Sequence, residues 1–336
     1  MPDSSVAAEL LATDQIMTRD SIHDISAADA EASNYLSLED LTAKYVDRDS
    51  RFMTIHGVRL HYKDEGEGPA ILMIHGSSSS MKTFDGSAAI LRTQYRVIRY
   101  DIPGWGLSQT ITNAVIGAGV KAEDFPEALL TALGVESATV TGVSSGGTTA
   151  HFLAAKRPDL VERLVLSNAP SDPIDYSGRH PSKALRAEED VAGRQDQSGY
   201  KRRAYWDAFF EFQAGDPDRI SSEVRDFYYD NNRRIPDANR NAGFALVRDN
   251  AVTRANGAKV TCPVLLLWGE QDALLPAATA DTLEGYLPNA SVSKLLMPDV
   301  GHYPPLEIPE RYAQIVAAYI AMVTPLKPRL PFPSDR

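Results

Sequence analysis

Short apolar runs rich in β-branched residues alternate along this chain with stretches of helical period, and the alternation persists over most of its length. Runs near 71–74, 97–100, 139–141, 164–167, 264–268 and 292–296 predict strands. Ahead of them, Phe52 to Ile55 and Arg59 to Lys63 flank His56-Gly57, the pattern of a hairpin with a tight turn. Segments 124–133, 148–156 and 309–322 carry helical periodicity, which places helices on the faces of a largely parallel sheet. The segment LSLEDLTAKYV at 36–46 has the same period and is available to pack on the sheet, on an inserted segment or on another subunit.

One interval breaks the rhythm. From Ser167 to Val264 run more than ninety residues, far beyond an ordinary strand-to-strand connection. The spacing predicts an inserted helical lid over 170–258, a core made of 51–169 and 259–324, and an amino-terminal extension over 1–50 whose first twenty residues are expected to be partly disordered. The Pro-rich tail 325–336 cannot continue a helix. Within the lid, Tyr205 to Phe212 and Phe227 to Tyr229 are dense in aromatics. Such residues ordinarily pack among themselves, but some must wall the cleft between lid and sheet, and Trp206 and Phe210 are the candidates. Arg202, Arg203, Arg233, Arg234 and Arg240 offer carboxylate recognition, with a solvated surface as their ordinary fate.

The candidate chemistry sits where strands end. In Thr139-Val140-Thr141-Gly142-Val143-Ser144-Ser145-Gly146-Gly147 a serine lies between a strand and a helix start, with glycine two before and two after it. A tight turn crowds those two positions, so Gly142 and Gly146 fit a strained elbow that exposes Ser144 as a nucleophile. A serine hydroxyl needs a base, and the base needs a carboxylate to hold its tautomer. The run Val264 to Trp268 leads into Gly269-Glu270-Gln271-Asp272, and the run Val292 to Leu296 leads into Pro298-Asp299-Val300-Gly301-His302. Ser144, Asp272 and His302 therefore form the candidate set, with Glu270, Asp299, Asp249 and Asp172 as competing acids. An oxyanion requires two N–H donors: one from Ser145 at the helix start, the other from Ser77, which follows the strand Ala70 to Ile74 and is approached closely through Gly76. His75 and Gly76 are candidate pocket residues beside it, and Ser78 to Ser80 read equally as substrate contacts or as a flexible polar loop.

HGSSSS at 75–80, DIPGWGLSQ at 101–109, GVSSGG at 142–147, WGEQD at 268–272 and GHYPPLEIPE at 301–310 together resemble the α/β-hydrolase superfamily, in its lidded branch of esterases, carbon–carbon bond hydrolases, haloperoxidases and epoxide hydrolases. The resemblance spans most of 52–322 and implies an α/β-hydrolase fold: a mostly parallel eight-stranded sheet flanked by helices, with an inserted helical lid. It also implies Ser144 as nucleophile, Asp272 as acid, His302 as base and the Ser77 and Ser145 amides as oxyanion donors. Epoxide hydrolases of this branch carry an aspartate where this chain has Ser144, which favours an acyl-enzyme route. Trp105, in the loop of 101–109, either lines the pocket or packs beside it.

Composition narrows the reading further. The formal net charge is −11 at pH 7, and neither a basic stripe nor a nucleic-acid motif appears, so nucleic acid is not an expected partner. Cys262 is the only cysteine, which excludes an intramolecular disulfide. The first twenty residues lack the basic and apolar regions of a secretory signal, and no run of eighteen apolar residues spans a membrane, so a cytoplasmic enzyme is expected. The expected activity is hydrolysis of a small or medium carboxylic ester with an apolar part, needing no metal or organic cofactor. The alternatives are carbon–carbon cleavage of a vinylogous diketone of the meta-cleavage type and a non-catalytic binding role on the same fold. A homo-oligomer remains open, with the extension and an exposed lid face as its candidate contacts.

Overall fold

The computed structural model describes residues 35–174, 180–195 and 200–323. The expectations for residues 1–34 and for the tail 325–336 lie outside the described residues. The sheet has eight strands: β1 (Arg51–Ile55), β2 (Val58–Glu65), β3 (Ala70–Ile74), β4 (Arg96–Tyr100), β5 (Ala138–Val143), β6 (Val161–Ser167), β7 (Val264–Gly269) and β8 (Val292–Met297). Their order across the sheet is β1-β2-β4-β3-β5-β6-β7-β8. The β1–β2 and β2–β4 pairs are antiparallel and every later pair is parallel, so the mostly parallel α/β-hydrolase sheet is present as expected. The hairpin turns at His56 (φ 49) and Gly57 (φ 77), both left-handed, as a two-residue turn between twisted strands requires.

Alternation along the central strands splits the core in two. Leu72, Ile74, Val140, Leu164, Leu166, Leu266 and Trp268 point to one face, where the helices Asp124–Ala132 and Ser145–Lys156 cover them through Phe125, Leu129, Ala150 and Leu153. Ile71, Met73, Val165, Leu265 and Leu267 point to the other, under Phe84, Tyr312, Val316 and Tyr319. A strand buried on both sides has to be apolar throughout, which is why these runs are so legible. Registry then aligns the strand ends: Ile74 lies opposite Tyr100 and Gly142, Gly142 opposite Leu166, and Leu166 opposite Leu266. Loops leaving the carboxyl ends therefore converge on one edge of the sheet.

The segment between β6 and β7 carries the helices Lys183–Gln195, Arg203–Gln213, Ser222–Asn232 and Asn250–Gly257. The second packs on the first through Leu185, Tyr205, Trp206 and Ala208, and on the third through Phe210, Ile220, Phe227 and Tyr228. The fourth packs instead on the core helix Ser145–Lys156. In front of the sheet, the helix Leu38–Tyr45 begins with a reciprocal cap between Ser37 and Asp40. It lies against the inserted segment: Lys44 Nζ and Tyr45 Oη donate to Asp230 at 2.5 and 2.7 Å, and Leu36 bridges Arg234. Among the described residues no helix is long and apolar enough to cross a membrane.

Candidate active site

Ser144 occupies the turn between β5 and the helix Ser145–Lys156 with φ 54 and ψ −130, a conformation that non-glycine residues rarely adopt. The two flanking glycines have no room for a side chain. A Cβ on Gly146 would stand 2.2 Å from the His75 carbonyl oxygen, and one on Gly142 would stand 2.3 Å from the Gly146 carbonyl oxygen. Gly76 makes the third close approach, since a Cβ there would lie 2.9 Å from Ser144 Cβ. The loop after β3 thus runs directly over the serine. Ser77 Oγ and Ser145 Oγ are 2.9 Å apart, so the residue after Gly76 and the residue after Ser144 meet through their side chains. Among the described residues, neither of their amides donates to a carbonyl or a side chain.

Asp272 and His302 meet in a hydrogen bond of 2.6 Å between Asp272 Oδ2 and His302 Nδ1, both side chains being buried. The other carboxylate oxygen accepts from the Leu274 and Leu275 amides at 2.8 and 2.9 Å. Of the competing acids, Glu270 is exposed, Asp299 pairs with Arg219 and Arg311, Asp249 caps the helix Asn250–Gly257, and Asp172 accepts from Ser171 and Tyr286. Among the described residues no direct hydrogen bond joins Ser144 to His302, whose ring is bonded to Asp272 through Nδ1.

Several supports lie outside the sequence reading. Asn168, at the end of β6 with φ 44, donates from Nδ2 to Asp272 Oδ2 at 2.7 Å and accepts from the Gly269 amide at 3.2 Å. Its signal was available: asparagine tolerates the left-handed region just past a strand. The His302 amide donates to the Gln213 carbonyl at 2.8 Å, linking the histidine loop to the inserted segment. Glu307 accepts from the Gly301, Tyr303 and Gly215 amides at 3.0, 3.3 and 2.8 Å, while burial pushes its carboxyl pKa up.

The candidate pocket residues divide. His75 is fully buried; its Nε2 accepts from the Ile102 amide at 2.9 Å, so Nδ1 carries the proton and donates to the Gly76 carbonyl at 2.8 Å. Burial lowers its pKa, in keeping with this neutral ring, and it shapes the loop from behind. Trp105 is sandwiched between Phe244, at 5.7 Å between ring centroids, and the Arg240 guanidinium, 4.1 Å from its ring. Trp206 and Phe210 are held in the aromatic packing of the inserted helices. Half-buried Phe209 reaches from that packing toward the site, against Tyr303, whose ring lies 4.7 Å from that of His302. The arginines are engaged elsewhere: Arg202 with Glu188, Arg203 with Asp207 and Asp226, Arg233 with Asp230, Arg234 with the Ser108 carbonyl and Arg240 with the Asn231 carbonyl. Nor do Ser79 and Ser80 form a loose polar loop. Both are buried, Ser79 Oγ bonding the Tyr228 hydroxyl at 2.8 Å and Ser80 Oγ accepting from the Lys82 amide at 3.2 Å. Among the described residues no group of three His, Cys, Asp or Glu side chains is arranged to hold a metal ion.

Comparison with known proteins agrees with this architecture. The alpha/beta hydrolase fold family matches residues 69–309, and the chain belongs to that family. It is 28% identical over 261 residues to the pimeloyl-[acyl-carrier protein] methyl ester esterase of Nitrosomonas europaea, covering 75% of this chain and 96% of that protein. It is 26% identical over 280 residues to a 2-hydroxymuconate semialdehyde hydrolase of Pseudomonas putida, covering 79% and 92% respectively. Among solved structures, a thermophilic esterase from Thermogutta terrifontis superposes with a TM-score of 0.62 at 24% identity, covering 81% of this chain and 98% of that one, which speaks for the fold.

Proposed function

We propose that this protein hydrolyses carboxylic esters of small or medium size through an acyl-enzyme on Ser144. The observation that supports the reading is the 2.9 Å contact between the Ser77 and Ser145 hydroxyls beside a serine held in a left-handed turn, an arrangement in which the amides of those two residues would receive an oxyanion. In this mechanism Ser144 Oγ attacks the ester carbonyl while His302 Nε2 takes its proton. Asp272, bonded to Nδ1, stabilises the imidazolium that results. The carbonyl oxygen becomes an oxyanion that the Ser77 and Ser145 amides receive, each contributing on the order of 3 kcal/mol in the transition state. His302 then returns the proton to the departing alcohol, leaving Ser144 acylated. A water deprotonated by the same histidine attacks the acyl group, and collapse of the second tetrahedral intermediate releases the acid and restores Ser144.

The inserted helices act as the lid in this reading, with Phe209 and Tyr303 supplying an apolar wall for the substrate. Similarity to the 2-hydroxymuconate semialdehyde hydrolase supports a second reading, carbon–carbon cleavage at the same serine. Against it, the arginines of the insertion are occupied by other partners.

The test is intact-protein mass after brief exposure to an active-site phosphonate, beside turnover of aryl esters of increasing acyl length and of one vinylogous diketone. A single adduct, absent from Ser144→Ala, is expected together with faster ester turnover. Ester turnover that survives unchanged in Ser144→Ala would overturn the assignment, and faster cleavage of the diketone would select the second reading.

A further inference from the structure

The loop Gly76–Ser80 is held by a part of the chain far from it in sequence. Ser78 has φ 57, a left-handed conformation that costs a serine on the order of 1 kcal/mol or more and persists only when its surroundings impose it. Those surroundings are one face of the helix Ser222–Asn232. Asn232 Nδ2 donates to the Ser78 carbonyl at 2.8 Å, Asn231 Nδ2 donates to the Ser79 carbonyl at 3.0 Å, and the Tyr228 hydroxyl bonds Ser79 Oγ at 2.8 Å and Thr83 Oγ1 at 2.9 Å. Residues 231 and 232 follow 228 by three and four positions, one turn on, so the three groups issue from the same side of the helix. Asn231 is further fixed because its Oδ1 accepts from the Gly106 amide at 2.9 Å, and turning the amide over would break both bonds. Asn231 and Tyr228 are almost wholly buried.

From this geometry, and resting on the reading of Ser144 given above, we infer that Asn231 and Asn232 are positioning residues that hold the Gly76–Ser80 loop so that the Ser77 amide faces the oxyanion. Rotation about φ of Ser78 turns the peptide that joins it to Ser77. Freed of the Asn232 bond, Ser78 relaxes toward negative φ and carries the Ser77 amide away from Ser144. Docking of the inserted helix and completion of the oxyanion site are then a single event. An enzyme with its helix undocked binds esters in a cleft that cannot stabilise their transition state.

The experiment compares the full chain with Asn232→Ala, Asn231→Ala and the isosteric Asn232→Asp, which keeps the volume but cannot donate to a carbonyl. Two controls accompany them: Ser144→Ala, and Lys44→Ala, which loosens the outer side of the same helix without touching the loop. For each, kcat and KM on an aryl ester are measured beside the inhibition constant of an aryl trifluoromethyl ketone, whose adduct on serine bears an oxyanion. Asn232→Asp and Asn232→Ala are expected to lower kcat by ~10- to 100-fold with KM within about threefold, and to raise the ketone inhibition constant by the same factor as kcat/KM falls. Lys44→Ala is expected to leave the ketone constant within about twofold, a margin small against the effect of one oxyanion donor. If the asparagine variants melt like the parent and keep both constants while Ser144→Ala is inactive, the inference falls and the serine reading stands. If Ser144→Ala turns over like the parent, both fall. A loss confined to KM, or one matched by Lys44→Ala, would show the asparagines to be simple lid packing and overturn the inference as well.

Discussion

Asp272 and His302, thirty positions apart in sequence, share a hydrogen bond of 2.6 Å at the edge of the sheet. The bond exists because β7 and β8 are parallel neighbours in register, Gly269 opposite Met297, so that the loops leaving them emerge side by side. With Asp272 accepting from Nδ1, the Nε2 position is free to serve as a base. Replacing Asp272 by Asn leaves an acceptor for the Leu274 and Leu275 amides but presents an amide to Nδ1 and reverses the favoured tautomer. Asp272→Asn is therefore expected to fold and to lose activity by about 10³- to 10⁴-fold in kcat on an aryl ester, measured at saturating substrate. Retention of more than a tenth of the parent rate would remove Asp272 from the proposed mechanism.

Asn168 tunes the same carboxylate. It donates to Asp272 Oδ2, the oxygen that also faces His302, and so holds the carboxylate in one orientation. Without that donor the carboxylate can turn about its own bond and holds the His302 ring less firmly in place. Asn168→Gly keeps the left-handed backbone available while removing the amide. It is expected to lower kcat on an aryl ester by about 10-fold with KM little changed, and with a smaller loss of stability than Asn168→Ala, whose Cβ is strained at φ 44. Equal kcat for Asn168→Gly and the parent would show that the contact does nothing for the acid.

The strands and the serine turn were legible because each obeys a rule local in sequence. A strand buried on both faces must be apolar, and a turn as tight as that at Ser144 excludes Cβ atoms at 142 and 146. Asp272 was legible because it stands just past such a strand, and His302 because it follows β8, an edge strand that is mostly exposed yet keeps an apolar run. Asn168, Gln213, Asn231 and Asn232 act through single bonds across long stretches of chain, and nothing in helical or strand periodicity marks which polar residue will meet which carbonyl. The arginines show the opposite failure: a cluster in sequence that the helices distribute to separate partners. Trp206 and Phe210 belong to an aromatic run whose period fits packing equally well, and it is their neighbour Phe209 that meets Tyr303.

Two glycines separate close approach from mere presence. A Cβ on Gly146 meets the His75 and Ile74 carbonyl oxygens at 2.2 and 2.4 Å, and backbone on both sides cannot retreat. Gly117, at the end of the exposed helix Asn113–Gly117, has nothing within 4 Å and no positive φ. Gly146→Ala is expected to cost about 3 kcal/mol or more, or to prevent folding, by the mechanism of overpacking. Gly117→Ala is expected to stabilise by roughly 0.5–1 kcal/mol through helix propensity and reduced unfolded-state freedom. Urea denaturation of the two variants measures both, and equal midpoints would contradict the packing described around Ser144.

His151 links the helix behind Ser144 to acid stability. Its imidazole is buried with Nε2 unbonded among the described residues, and burial pushes its pKa down to about 4. In the unfolded chain a histidine titrates near 6.5, so between the two values the unfolded state binds the extra proton. Stability attributable to the neutral ring is complete above pH ~6.5 and is lost as pH falls toward 4, the reverse of a histidine that gains a partner. At pH 4.5 the loss is on the order of 2 kcal/mol. His151→Leu, which fills much of the same space without a titrating group, is expected to shrink the difference in unfolding free energy between pH 7 and pH 4.5 by about that amount. Urea unfolding of both proteins at the two pH values decides it: an unchanged difference would mean that His151 is protonated or hydrated in the folded state and does not set the acid limit.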